Sequence, residues 1–368
     1  MSGRAGVGLI GAGVISTQYL ENLTSFPDVD VRFVADLDLP RAAAQAAAFG
    51  VPGSGSVDEL LARDDIEIVL NLTVPATHAE VGRRIISAGK HVWSEKPVAL
   101  DHASAAELLS EASAAGLRVA CAPDTVLGPG IQTALRAIAR GDIGEPLTAI
   151  TMFHVPGPEA WHPNPDFLYA LGAGPLFDMG PYYVTTLVHA LGSASRVHAT
   201  ASTARTVRTI ASGPRAGQQF PVEVPTHHSA LIEFAGGTSA QSTFSFQHAR
   251  PRAGFVEING TEGTLSLPDP NNFDGQTTLW RYGSSEPVII EAEGAAFGRG
   301  TGVVELARAI RAGVPERASG RLAAHVLDIL LGIRDAAASG MPVEITSEAP
   351  ATAPLPREWN PQDATLGG

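Results

Sequence analysis

A single cysteine, Cys121, stands in 368 residues. No intrachain disulfide can form, and one thiol suits a reducing cytoplasm. No uninterrupted apolar run approaches the roughly 20 residues that span a bilayer, so no membrane segment is expected. The first strand begins almost at once, which predicts no signal peptide. Cations are scarce too: 25 Lys and Arg face 38 Asp and Glu, for a formal net charge of −13. That balance argues against nucleic acid or an anionic membrane as partner. The 11 histidines are dispersed, with no Cys/His cluster at zinc spacing, so no metal site is expected.

What the chain does have is glycine where a backbone must turn. Ala5-Gly6-Val7-Gly8-Leu9-Ile10 reads as an apolar strand and runs into Gly11-Ala12-Gly13-Val14-Ile15-Ser16. Tyr19, Leu20 and Leu23 then mark a helix. Gly11 lets the backbone leave the strand sharply, and Gly13 removes the Cβ that would hold a pyrophosphate away. The helix start at Val14 and Ile15 offers N–H groups and a partial positive charge to that anion. Ser16 stands where a third glycine usually permits close helix–strand packing, and it is small enough to approximate one. Such turns also occur without any ligand, so their surroundings decide.

Those surroundings point to a dinucleotide. A second strand, Val31-Arg32-Phe33-Val34-Ala35, ends in Asp36. A carboxylate there accepts hydrogen bonds from both hydroxyls of the adenosine ribose and repels a 2′-phosphate. Leu37, Asp38, Leu39 and Pro40 follow, and the nearest cation, Arg41, lies inside the next helix. The pattern predicts NAD in preference to NADP. The alternative for Asp36 is a cap on the helix that starts at Pro40.

The length allows two domains with separate cores. Strand candidates at 5–10, 30–36, 66–72, 91–94 and 118–122 alternate with alanine-rich amphipathic stretches at 40–49, 76–88 and 101–115. This predicts a parallel sheet with helices on both faces, over 1–125. After Pro123 the character changes. A helix near 130–140, a strand over 147–155, a proline-rich loop at 156–165 and a glycine-flanked segment at 172–192 come first. Strand after strand follows from about 195 to 291, which predicts a largely antiparallel sheet. Two helices, near 299–312 and 320–339, complete a second domain over 126–345. A proline-rich tail fills 346–368.

Ligands of an open parallel sheet bind beyond the carboxyl ends of its strands. There the chain places Thr73-Val74-Pro75-Ala76-Thr77-His78, then Glu95-Lys96-Pro97, then Ala122-Pro123-Asp124. Thr73, Pro75, His78, Glu95 and Lys96 are therefore expected to line the cofactor. Lys96, stiffened by the proline after it, can be aimed at a reacting group; the alternative is a solvated surface lysine. His78 equally suits the surface of a helix's first turn. Asp124 either meets substrate or caps the next helix. Further on, Asp178 and Tyr182 share a face if their segment is helical, although Pro181 predicts a kink or a helix start there. An acid beside a phenol can position a hydroxyl and take its proton. A free phenol titrates near about 10, so a lysine ammonium beside it is needed for work near neutrality. The alternative is that Tyr182 and Tyr183 only pack the helix.

The turn at Gly11–Ser16, the Thr73–His78 stretch, Glu95-Lys96-Pro97 and Asp178-x-Gly-x-Tyr182 together resemble the Gfo/Idh/MocA family, named for glucose–fructose oxidoreductase and inositol dehydrogenase. The resemblance covers nearly the whole chain, and Glu-Lys-Pro is its specific part. It implies an α/β Rossmann domain followed by an α+β domain with a large, mostly antiparallel open sheet. That sheet is expected to join a homodimer or homotetramer. It also implies that Lys96 is the catalytic lysine and that Asp178 binds the reacting hydroxyl. Many members have histidine where this chain has Tyr182; glucose–fructose oxidoreductase and the dimeric dihydrodiol dehydrogenases are similar in having tyrosine. Tyr182 then becomes the proton acceptor. Trp161 and His162, before the catalytic segment, become sugar contacts or loop packing.

The expected activity is NAD-dependent oxidation of a secondary alcohol on a sugar, glycoside or cyclitol. Two alternatives stand beside it. One is an enzyme that keeps its NAD(H) bound and cycles it between a sugar and another carbonyl, or uses it to cleave a glycosidic bond. The other is a non-catalytic NAD(H)-sensing protein.

Overall fold

The computed structural model describes residues 3–366. The chain forms two compact units. The first gathers Met1–Pro129 with Glu293–Leu327 and Leu355–Gly368; the second holds Gly130–Ala292 and Asp328–Pro354.

In the first unit, β1 (Ala5–Ile10), α1 (Val14–Leu23), β2 (Val29–Ala35), α2 (Leu39–Ala48), β3 (Ser54–Gly55) and α3 (Val57–Leu61) follow in sequence. Next come β4 (Ile68–Asn71), α4 (His78–Ser87), β5 (His91–Ser94), α5 (His102–Ala114) and β6 (Val119–Cys121). The six strands pair in the order β3-β2-β1-β4-β5-β6, and every pairing is parallel. Strands β1, β4, β5 and β6 are buried along their whole length, as a sheet covered on both faces requires. The order reverses between β1 and β4, so a crevice opens beside the turn that leaves β1.

The short β3 and α3 went unread in the sequence, although their signal is there. Ser56 and Glu59 form a reciprocal capping box: Ser56 N–H donates to Glu59 Oε2 at 2.7 Å, and Glu59 N–H donates to Ser56 Oγ at 3.2 Å. This satisfies N–H groups that a helix start otherwise leaves unpaired.

In the second unit, α6 (Pro129–Ala139, whose first residue belongs to the other unit), β7 (Pro146–His154), α7 (Gly174–Leu191) and β8 (Ala194–Ser202) come first. A small pair, β9 (Val207–Thr209) and β10 (Gln219–Pro221), stands apart as its own ribbon. Then follow β11 (His227–Phe234), β12 (Ser239–Ser245), β13 (Arg252–Gly260), β14 (Gly263–Leu267), β15 (Thr277–Arg281) and β16 (Val288–Ile290). Nine strands pair in the order β16-β15-β14-β13-β7-β12-β11-β8-β17, where β17 is Val343–Glu344. All these pairings are antiparallel except β12 with β7. Alternating burial along β11 and β14 shows one face packed and the other open, the mark of a one-sided sheet. The packed side meets α7.

Helix α8 (Thr301–Ala312) and the first part of α9 (Gly320–Ser339) belong to the first unit; the rest of α9 belongs to the second. Among the described residues, no helix is long and apolar enough to cross a membrane.

Candidate active site

The turn after β1 is built as its glycines demand. Gly11 adopts φ +105°, and a Cβ there would lie 2.6 Å from the Leu72 carbonyl oxygen. Only glycine tolerates both. A Cβ on Gly13 would meet nothing within 4 Å, and no side chain caps the helix that begins at Val14. The space above this helix start is open, and Val14 is 90% exposed. Ser16, by contrast, is fully buried; its Oγ donates to the Gly13 carbonyl at 2.6 Å and accepts from Gln45. Serine thus packs where a third glycine would.

Asp36 lies at the carboxyl end of β2 and turns its carboxylate toward this turn. Oδ2 accepts the Ala12 N–H at 2.7 Å; Oδ1 accepts the Asp38 N–H at 2.9 Å and Arg41 Nη2 at 2.7 Å. Burial opposes its charge, but the hydrogen bonds from Arg41 and the two backbone N–H groups prevail and hold the carboxyl below its ordinary range. The cap of α2 is Asp38, which accepts the Arg41 N–H. Asp36 is therefore left to the turn. Arg41, five residues on and inside α2, reaches back to this carboxylate.

The loop after β4 is tied down by its own side chains. Thr73 Oγ1 donates to Asn71 Oδ1 at 2.6 Å, and Thr77 Oγ1 donates to Thr73 Oγ1 at 2.9 Å. His78 is buried, with Nδ1 2.6 Å from the Pro97 carbonyl and Nε2 3.0 Å from the Thr73 carbonyl. Its ring joins the loop after β4 to the turn after β5. Val74 and Pro75 are exposed at the rim.

Lys96 is half-buried rather than a solvated surface lysine. The chain has two lysines, and the other, Lys90, is buried with Nζ donating to the Arg63 and Ile66 carbonyls. Just before Lys96, Glu95 is buried in a network that sequence reading missed. Its Oε1 accepts Tyr19 Oη–H at 2.8 Å, and its Oε2 accepts the Lys96 N–H at 3.0 Å. Trp93 Nε1 donates to Tyr19 Oη at 3.1 Å. Arg299 Nη1 lies 3.8 Å from Glu95 Oε1 and 3.6 Å from Asp124 Oδ1. Asp124 is fully buried, and its Oδ2 accepts the N–H groups of Gly300 and Gly302 at 2.8 and 3.2 Å. It caps a helix, α8, though not the next one along the chain. Burial pushes this carboxyl up to about 6, against the pull of Arg299 and the two N–H groups.

In the second unit, α7 runs unbroken from Gly174 to Leu191 with Pro181 inside it. The helix therefore does not start late at Pro181. Asp178 and Tyr182 therefore lie one turn apart on a common face. Gly180 between them admits Leu330 of α9, whose Cδ2 would lie 2.7 Å from a Cβ. Tyr182 is 5% exposed, whereas Tyr183 is fully buried and its Oη accepts the Gly254 N–H. The two adjacent tyrosines thus have different surroundings.

Ahead of α7, Trp161 and His162 contact edge to face with centroids 5.4 Å apart, and His162 meets Phe167 likewise at 5.5 Å. Trp161 and Phe167 are 69% and 60% exposed. The loop is nonetheless braced: Arg215 holds Asp166 with two hydrogen bonds of 2.8 Å, and Ser212 Oγ donates to the Trp161 carbonyl. Phe167 joins the pair that the sequence singled out.

Comparison with known proteins agrees with this architecture. Residues 5–122 match the oxidoreductase family with an NAD-binding Rossmann fold, and residues 131–266 match the GFO/IDH/MocA C-terminal domain. A dTDP-3,4-didehydro-2,6-dideoxy-alpha-D-glucose 3-reductase of Streptomyces violaceoruber is 31% identical, over 71% of this chain and 72% of its own. A D-xylose 1-dehydrogenase (NADP(+)) of Haloferax volcanii is 24% identical over 92% of this chain and 99% of its own. The crystal structure of an NAD binding oxidoreductase from Klebsiella pneumoniae superposes with a TM-score of 0.82 at 25% identity, covering 94% of this chain and all of that one. The chain belongs to the Gfo/Idh/MocA family of oxidoreductases.

Proposed function

We propose that the protein is an NAD-dependent dehydrogenase for a secondary alcohol of a sugar, glycoside or cyclitol. The reading is carried by α7, whose unbroken course through Pro181 sets Asp178 and Tyr182 one turn apart. The open turn at Gly11–Gly13 fits the pyrophosphate of a nicotinamide dinucleotide, with Val14 and Ile15 at the helix start. Thr73, Pro75, His78, Glu95 and Lys96 belong to the loops on the same side of the sheet. When bound, the nicotinamide ring supplies the acceptor for the hydrogen and electron pair that leave the alcohol carbon.

The chain's own residues handle the proton. Asp178 accepts the hydroxyl's hydrogen bond and orients it. Tyr182, acting as the phenolate that the Lys96 ammonium stabilises, takes the proton as the C–H bond breaks and is left as the neutral phenol. In the reverse direction Tyr182 returns the proton to the carbonyl oxygen. Trp161 and His162, with Phe167 beside them, offer ring faces to the apolar side of a sugar. Asp36 receives the adenosine ribose. Its negative charge favours NAD, although its pairing with Arg41 weakens the repulsion of a 2′-phosphate and the Haloferax relative is named for NADP(+). We assign a homo-oligomer contact to the open face of the nine-stranded sheet, where Ile150, Leu231, Phe255 and Trp280 are exposed.

Tyr182→Phe tests the reading on a panel of sugars, cyclitols and glycosides. It is expected to lower kcat by about 10²-fold or more while NADH binding stays within twofold. Unchanged turnover would overturn the role of Tyr182.

A further inference from the structure

Far from the phosphate-binding turn in sequence, Gly298-Arg299-Gly300-Thr301-Gly302 forms a second glycine turn before a helix. It is packed shut. Gly300, the cap of α8, adopts φ +101°, and a Cβ on it would press on Leu23 at 2.9 Å. A Cβ on Gly302 would lie 2.0 Å from the Trp93 ring, and one on Gly298 would lie 2.7 Å from Asn22 Nδ2. Asp124 clamps the turn from inside through the Gly300 and Gly302 N–H groups. Arg299, 11% exposed, is thereby placed between two buried carboxylates.

We propose that Arg299 is a positioning residue for Lys96, acting through Glu95. The guanidinium balances the Glu95 carboxylate, Tyr19 fixes one of its oxygens, and the other oxygen holds the Lys96 N–H. The backbone that carries the Lys96 side chain is anchored by this chain of contacts. An arginine here is needed because a buried carboxylate without a compensating cation is costly. The charged and titratable groups around the link are Glu95, Arg299, Asp124, Tyr19 and Cys121. The Cys121 thiol senses both Glu95 and Lys96: burial and Glu95 push it up, while Lys96 pulls it down. Glu95 and the Lys96 charge therefore act on one small volume. The positioning role rests on the reading of Lys96 as the residue that assists proton transfer.

The chain's two lysines allow a test that needs no substrate. Acetic anhydride labels amines, and peptide mass mapping separates Lys96 from Lys90 and the chain terminus. In Arg299→Met, the pH of half-maximal Lys96 labelling is expected to rise by about 0.5 unit or more, because the uncompensated Glu95 favours the ammonium. Arg299→Lys should keep the wild-type profile. On an oxidised member of the sugar panel, Arg299→Met should lower kcat about tenfold, with the NADH Kd within twofold. A folded Arg299→Met with an unchanged Lys96 profile and unchanged kcat overturns the proposal. If that variant does not fold, Tyr19→Phe decides: a smaller shift in the same direction supports the link, and an unchanged profile overturns it. Lys96→Met separates the two readings. Retained turnover there removes the catalytic role of Lys96, while the labelling profile still reports whether Arg299 positions it.

Discussion

Two glycine turns precede helices in the first unit, and they are used in opposite ways. At the first turn Gly11 lies against Leu72, but Gly13 keeps space free: a Cβ on it would touch nothing within 4 Å, and no side chain caps the helix. At Gly298–Gly302 the glycines give space away, to the Trp93 ring, Leu23 and Asn22. The N–H groups of Gly300 and Gly302 are answered by the chain's own Asp124. One helix start is thus left uncapped, and the other is filled by an internal carboxylate. Both rest on the same physics, the unpaired donors and positive end of a helix. What differs is whether the fold brings a carboxylate there.

Substitutions at the two turns should therefore separate stability from cofactor binding. Gly302→Ala is expected to have the largest effect, because its Cβ would overlap a fully buried tryptophan ring. A loss of roughly 3 kcal/mol, read from the denaturant midpoint, lies at the upper end of overpacking costs. A stability unchanged within error would show that the second turn is not packed shut. Gly13→Ala should do the reverse. Its folding stability should fall by no more than about 1 kcal/mol, while the NADH Kd rises about 10- to 100-fold, or roughly 1.4–2.7 kcal/mol. Equal NADH binding by both proteins would break the contrast from the other side.

The smallest effect is expected at the clamp itself. Asp124 has its carboxyl raised from 3.8 to about 6. Its stabilising contribution is fully present below 3.8 and is lost as pH rises through about 6. Asp124→Asn is neutral throughout, so its stability relative to wild type should improve on going from pH 5 to pH 8. The expected change is about 1–2 kcal/mol, measured as denaturation midpoints at the two pH values. A constant difference between the proteins would show that Asp124 is already ionised at pH 5.

Much of the first unit was legible because its signals are local. Strand, turn, helix and Asp36 lie within thirty-odd residues, and each element's period is visible in the apolar pattern. The Ser56–Glu59 capping box is an equally local signal. The parallel pairing of β7 with β12 was not legible, since 91 positions separate the paired residues Phe153 and Phe244, and strand periodicity carries no partner information. At α7 a breaker read from sequence did not break the helix: Pro181 sits in an 18-residue helix whose neighbours are buried on nearly every side. Packing there outweighs the lost hydrogen bond.

The glycine turn after β1, the acid after β2, the Glu-Lys-Pro segment and the spacing of Asp178 and Tyr182 could all be read from the amino-acid order alone. These are short-range patterns, and local backbone geometry is enough to express them. It took the folded chain to bring Asp124 to a helix start 176 residues away and to set Arg299 beside Glu95. A glycine turn in sequence looks the same whether open or filled. Its N–H groups are answered by whatever carboxylate the folded chain brings near, and that choice is made by packing.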